Sequence, residues 1–416
     1  METITLVFLA ALAVGTLLQL WLLRRQSANV SAHREAVPGA FAESISLADH
    51  QKAASYTLAR LGLEKWRLLI GPVLLLLWTL GGLLAWLDQA WLQAELPPLW
   101  QGTLLILSVL MIESIIDLPL EIRSTFGIEA RFGFNRTTPA RFAKDKLTGL
   151  LLSILLGLPL LLAVLWLMHS AGEFWWAWAW LVWMGFTLLI TWAFPTWIAP
   201  LFNKFKPLDQ GELRTRLEAL LTRCGFKSNG MFVMDGSRRS AHGNAYFTGF
   251  GKNKRIVFFD TLLDGLSEKQ VEAVLAHELG HFKRRHILKK MVTSALLSLA
   301  GLALLGWLSQ QAWFYTGLGA ERQSDALALV LFFLMMPVFT VFLSPLMSAF
   351  SRRHEFEADA FAAEQTDAQA LIDGLVSMYR DNASTLTPDP LYSAFHHSHP
   401  PAPERIAHLA SKMTTA

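Results

Sequence analysis

A chain of 416 residues that is 53% hydrophobic and only 17% charged, with a mean hydropathy of +0.36, is too apolar for an ordinary soluble enzyme and reads as a membrane protein. Its formal net charge of +3 is small, and no nucleic-acid partner is expected. The single cysteine, Cys224, excludes an intrachain disulfide and a multi-cysteine metal site.

A helix crosses a hydrocarbon core with roughly 20 apolar residues. Seven such runs occur, at about 4–23, 68–87, 99–120, 147–167, 174–201, 291–308 and 326–348. The first has no basic residues ahead of it and is followed by Arg24 and Arg25, so it reads as a retained anchor and not as a signal peptide. Residues 26–67 are polar at first and then helical in pattern, with no legible chemistry. The chain therefore divides into a membrane region of five spans (1–201), a soluble domain (202–290), two further spans (291–348) and a tail (349–416).

Lysine and arginine mark the side on which each connecting segment lies. Segments 24–67, 121–146, 202–290 and 349–416 hold 7, 6, 17 and 5 of them, 35 of the chain's 36. The alternate segments hold only Arg322. This asymmetry puts the N terminus outside, with the soluble domain and C terminus in the cytoplasm, and it suits a bacterial inner membrane and an endoplasmic reticulum alike. Glu113 and Asp117, four apart in the third span, should share a face. Charges there are costly, so they are expected to line an aqueous interior.

Ser267 opens "SEKQVEAVLAHELGHF" with a capping box to Gln270, so a helix starts near Glu268 and runs through the histidines. On it His277 and His281 lie one turn apart, close enough for both imidazoles to reach one Zn²⁺. Glu278 sits beside them as a base for the attacking water. A catalytic zinc needs a third protein ligand. "SRRHEFEADAFAAE", directly after the last span, offers Glu355 as that ligand. Asp359, one turn on, can hydrogen-bond a ligand imidazole. The same charges would also suit an exposed helix after an anchor.

"GNAYFTGFGKNKRIVFFD" reads as two short strands, about 244–249 and 255–259, joined by a turn. A hairpin with a free edge can take an extended peptide as an added strand, with Asn244 holding the substrate backbone. In "YSAFHHSHPPAPERI" the histidines invite a metal assignment, but His399 precedes two prolines and cannot lie comfortably within a helix. His396 and His397 read as surface residues, and His242 is left unassigned.

"SAHGNAYFTGFGKNKRIVFFDTLL", "AVLAHELGH", "SRRHEFEADAFA" and "FHHSHPPAPERI", in this order, resemble the integral-membrane zinc metalloproteases of the Ste24 type, the CAAX prenyl protease family. "RFGFNRTTPARFAKDKL" and "APLFNKFKPL" extend the likeness from about residue 120 to the C terminus. The resemblance implies a mainly α, multi-pass fold of seven helices around a chamber, with a cytoplasmic zinc-protease domain containing a small hairpin or sheet. It implies one zinc per chain on His277, His281 and Glu355, with Glu278 as general base and Glu357 as a polar neighbour. It supports Asn244 as a substrate-binding residue and His399 as the oxyanion donor, and it has Arg405 order the site through a carboxylate. The expected activity is endopeptidase cleavage near the C terminus of peptide or protein substrates, prenylated or not, by a monomer in contact with membrane lipid. The rival functions are a membrane-protein quality-control protease with no lipid requirement and a metal transporter.

Overall fold

The computed structural model describes residues 2–248 and 254–413. Six helices are long and apolar enough to cross a membrane: Thr3–Ala32, Pro98–Glu129, Pro139–Ser170, Gly172–Phe202, His286–Leu308 and Asp325–Gln365. A bent pair, Leu47–Trp78 and Leu83–Leu92, makes a seventh if counted as one crossing. Each of the seven expected runs falls on one of these. The run 68–87 is not one straight helix, because the axis turns by 48° between Trp78 and Leu83. Gly82 sits there at φ +77°, a conformation that glycine adopts at no steric cost.

The last crossing matters most for the site. The helix Asp325–Thr340 passes through a single tight turn, Val341–Leu343, into the helix Ser344–Gln365, hereafter the tail helix. The expected boundary between 348 and 349 thus falls inside a helix. A run of 41 residues is roughly 60 Å long at 1.5 Å per residue, about twice the hydrocarbon thickness. Half of it must project from the membrane, and that half carries Glu355.

Four strands form one mixed sheet in the order β1-β2-β4-β3. They are β1 (Phe205–Pro207), β2 (Met231–Met234), β3 (Ala245–Thr248) and β4 (Arg255–Phe259). β3 and β4 are the expected hairpin, antiparallel with Thr248 opposite Arg255. The turn at 249–253, with the last residue of the expected first strand, lies outside the described residues. β2 runs parallel to β4, and β1 antiparallel to β2. β3 is an edge strand. Its apolar neighbours belong to a core built from Leu217, Ile256, Phe258, Leu275 and Leu371, which also takes in Phe41 and Ile45. Segment 26–67 therefore helps to close the soluble core.

The charges in and near the spans find partners. Arg322, the one basic residue on the sparse side, holds Asp88 through Nε and Nη2 at 2.6 and 2.7 Å. Asp88 is buried, so this exception to the charge asymmetry is neutralised locally. Trp78 Nε1 donates to Glu113 at 2.5 Å, and Arg67 lies 3.7 Å from Asp117. Both acids thus meet the helix Leu47–Trp78.

Candidate active site

The motif helix spans Glu268–Lys283 and begins with the expected capping box, Ser267 N donating to Gln270 Oε1 at 2.8 Å. It lies across the tail helix at very short range. A Cβ added at Gly280 would stand 2.9 Å from Ala358 Cα and 3.0 Å from its carbonyl oxygen. Those are backbone atoms, so they yield only if the helices part. Gly280→Ala is expected to destabilise the protein: overpacking at about 1–3 kcal/mol outweighs the gain in helix propensity of about 1 kcal/mol. A lowered thermal midpoint together with weaker metal retention is the expected result. An unchanged midpoint would show that the contact is slack.

This approach brings together three atoms that could hold one metal ion. His277 Nε2 and His281 Nε2 are 3.2 Å apart. Glu355 Oε2 is 3.4 Å from the first, and its Oε1 is 3.3 Å from the second. Zinc bonds of about 2.0–2.1 Å in tetrahedral geometry separate ligand atoms by roughly 3.3–3.4 Å, so the set fits such an ion. Glu355 is 1% exposed, and its Oε2 has no well-aligned hydrogen bond among the described residues, although His399 Nδ1 comes within 2.8 Å of it. A buried carboxylate oxygen left in that state asks for a cation.

Behind His277, Asp359 Oδ1 lies 2.8 Å from Nδ1. Arg405 braces the same carboxylate, Nε to Oδ2 at 2.8 Å and Nη2 to Oδ1 at 2.5 Å, and all three residues are buried. Nδ1–H therefore donates to Asp359 and leaves Nε2 for the ion. The 3.2 Å approach of Arg405 Nη2 to that Nδ1 is then a contact between two donors. Burial and the Arg405 charge oppose protonation of His277, but the Asp359 and Glu355 carboxylates outweigh them and push it up to about 9. A bound cation takes that proton's place.

Glu278 is partly exposed and makes no hydrogen bond or ion pair among the described residues. His399 Nδ1 lies 2.8 Å from Glu355 Oε2, yet its side chain is 67% exposed. Sequence reasoning did not find what holds it there. Arg352, one turn before Glu355, donates through Nη1 to the carbonyls of Ser393, Ala394 and His397 at 3.0–3.3 Å. The tail helix thereby fixes the segment leading to His399. His399 borders a cavity of about 600 Å³ shared with Tyr392, Tyr379, Arg60 and Arg67. His396 is exposed as expected, whereas His397 is only partly so, and both line this cavity.

Asn244 is exposed at the entry to the edge strand. Its Oδ1 accepts from Ala245 N at 2.8 Å, which leaves the amide Nδ2 outward as a donor. Just before it, His242 stacks on Phe134 and faces Asn382 Oδ1 at 3.2 Å and Glu129 Oε2 at 3.3 Å. Asn382 also accepts from Gly243 N at 3.1 Å. The strand entry is thus moored to the tail and to a membrane helix, a structural role for His242. Asn382 was not foreseen, since nothing in its local sequence sets it apart. His286 was also missed: it is buried and lies between His281 and Glu357, the expected polar neighbour.

Residues 26–204 match the family model described as CAAX prenyl protease N-terminal, five membrane helices, and residues 207–413 match that of peptidase family M48. With a metal-ready triad beside crossing helices, these mark a multi-pass membrane metallopeptidase. The chain belongs to peptidase family M48, and its first half is of the kind found in the CAAX prenyl proteases. It is 40% identical to a rice CAAX prenyl protease 1 homolog over 310 residues, 74% of this chain and 73% of that one. The yeast CAAX prenyl protease 1 is 36% identical over 315 residues, 72% and 69% of the two chains. The crystal structure of Ste24p from S. mikatae superposes with a TM-score of 0.91 at 28% identity, covering 97% and 98%.

Proposed function

We propose that this membrane metallopeptidase uses one zinc ion to cleave a peptide bond near the C terminus of CAAX-type substrates that carry an isoprenoid chain. The observation that carries the reading is the spacing of His277, His281 and Glu355 beside the unpaired Glu278 and the free edge of β3. Two imidazoles and a carboxylate suit zinc better than the oxygen-seeking magnesium or calcium. When bound, the ion supplies Lewis acidity toward the scissile carbonyl and makes water a stronger acid. The substrate backbone pairs with β3 and with the outward amide of Asn244, which aligns the bond to be cut. Glu278 accepts the proton of the attacking water and returns it to the leaving amine. His399 donates to the developing oxyanion, and Asp359 and Arg405 keep His277 in the ligating tautomer.

The names of the rice and yeast relatives supply the substrate class. A cavity of about 980 Å³ supports a lipidated one. It lies between the helices Pro98–Ile122 and Pro139–Ser170, is lined by Leu110, Leu150, Ile154 and Leu158, and reaches Ser240 and His242 at its polar end. Those two residues stand four and two positions before Asn244, so an apolar chain on the substrate has room near the strand that holds its peptide. Mass spectrometry of products from matched prenylated and plain peptides tests the reading. Metal-dependent cleavage confined to the prenylated peptide is expected. Equal cleavage of both would favour the quality-control alternative, and no metal-dependent cleavage would defeat the proposal.

Every group in this reading comes from one chain, so a single copy suffices for the site as proposed. Exposed apolar residues on the crossing helices, Leu17, Leu155 and Trp166 among them, support direct contact with lipid. The lysine and arginine asymmetry supports a cytoplasmic catalytic domain and C terminus. A tag after Ala416 is accordingly expected to resist external protease in sealed right-side-out vesicles; its digestion would reverse the orientation.

A further inference from the structure

His277 Nδ1 has a carboxylate, that of Asp359, in direct contact, whereas His281 Nδ1 has none. Its Nδ1 instead lies 3.0 Å from Nδ1 of His286, whose Nε2 lies 3.0 Å from Glu357 Oε2. The contact is not a product of helical spacing. Five residues along a continuous helix amount to about 500° of rotation, which leaves two side chains roughly 140° apart. The helix stops first: Arg285 sits at φ +57°, a left-handed conformation unfavourable for any residue with a Cβ, and His286 opens the next helix, His286–Leu308. The reversal turns His286 back onto His281. There the imidazole is 1% exposed and stacks on His354 at 4.1 Å with the rings 14° apart.

Two adjoining imidazoles fix each other's tautomers. If His281 binds an ion through Nε2, its proton must be on Nδ1, which then donates to His286 Nδ1. His286 consequently carries its own proton on Nε2, and that proton goes to Glu357. We propose that His286 and Glu357 form a hydrogen-bond relay that holds His281 in its ligating tautomer and orientation, making His286 a positioning residue for the metal centre. The two histidine ligands are then served in different ways: His277 by a carboxylate neutralised through Arg405, His281 by a carboxylate one imidazole removed.

This rests on the reading of His277, His281 and Glu355 as ligands, which His281→Ala tests separately. Stoichiometric metal in that variant would overturn the ligand reading and with it the relay. With His281 established, the relay is tested in the detergent-purified full chain by the rate at which a chelator strips Zn²⁺ and by the visible spectrum of the Co²⁺-substituted protein. His286→Leu is expected to speed metal release by about 10–100-fold and to alter the Co²⁺ bands. His286→Asn, whose Oδ1 can accept from His281 Nδ1–H, should recover most of that loss, and Glu357→Leu should show a smaller effect in the same direction. His354→Leu removes the stacking partner but no relay hydrogen bond, so its release rate should stay near that of the parent. Parental release and an unchanged spectrum in His286→Leu would overturn the relay. Equal defects in His286→Leu, His286→Asn and His354→Leu would also overturn it, since that pattern belongs to packing. If His286→Leu fails to fold, Glu357→Leu carries the same test.

Discussion

Glu278→Gln is expected to keep stoichiometric metal and to lower kcat by at least on the order of 10²–10⁴, the contribution of a positioned general base. The amide keeps the shape of the carboxylate and removes its capacity to hold a proton. Because Glu278 makes no hydrogen bond or ion pair among the described residues, the substitution orphans no partner. Its neighbours His277 and Leu279 are buried, so the helix stays anchored from both sides. Glu355→Ala should behave differently, losing metal along with activity, since it removes a proposed ligand whose side chain is almost fully buried. Metal analysis and turnover measured on the same preparations separate the two roles. Full metal content with turnover near the parental level in Glu278→Gln would defeat its role as base.

The parts of this site that lie on one helix were legible in the sequence. The four-residue spacings of His277 with His281 and of Glu355 with Asp359 are statements about helical geometry, and Ser267 with Gln270 marked where the first helix begins. What the sequence concealed depends on contacts between elements or on breaks within them. His286 reaches His281 only because the chain reverses at Arg285, a residue with no feature that announces a left-handed turn. Arg352 reads as one of two arginines after a membrane anchor until its guanidinium is seen closing the helix Pro390–His396. Hydropathy located the spans, but an average over 20 residues is blind to the bend that begins at Trp78. The parallel pairing of β2 with β4 has no local signature either, since the two strands are far apart in sequence.

The site is suspended from the membrane at both ends, which bears on how it works. The motif helix is followed after a two-residue break by the crossing helix His286–Leu308, and Glu355 rides on the continuation of the last crossing helix. The distances near 3.3 Å among the proposed ligand atoms are therefore set by how two membrane-anchored helices pack at Gly280 and Ala358. The N-terminal anchor joins the same frame: Arg25 holds Asp389 through Nε and Nη2 at 3.3 and 2.9 Å, and Gln26 Oε1 accepts from the backbone N–H of Asp389 at 2.6 Å. The segment that carries His399 is thus tied to the first span and, through Arg352, to the helix that carries Glu355.

That frame gives His399→Ala a specific expected result. His399 Nδ1 faces Glu355, while Nε2 has no hydrogen-bond partner among the described residues and the ring borders the cavity with Tyr392 and Arg60. A donor held there by the tail strengthens its interaction as charge develops on the carbonyl oxygen. Its loss should lower kcat by on the order of 10²–10³ with little change in KM or metal content. Asn244→Ala makes the contrast: an amide that pairs with the substrate backbone serves ground state and transition state together, so its removal should chiefly raise KM, provided that KM reports binding. A His399 that instead completes the metal's ligand set would, when removed, speed metal loss and leave no purely kinetic defect. The exposure of its side chain argues against that, because the three other ligand side chains are all buried or nearly so. Zinc content and steady-state kinetics on both variants decide the matter, and either metal loss or an unchanged kcat in His399→Ala defeats the oxyanion assignment.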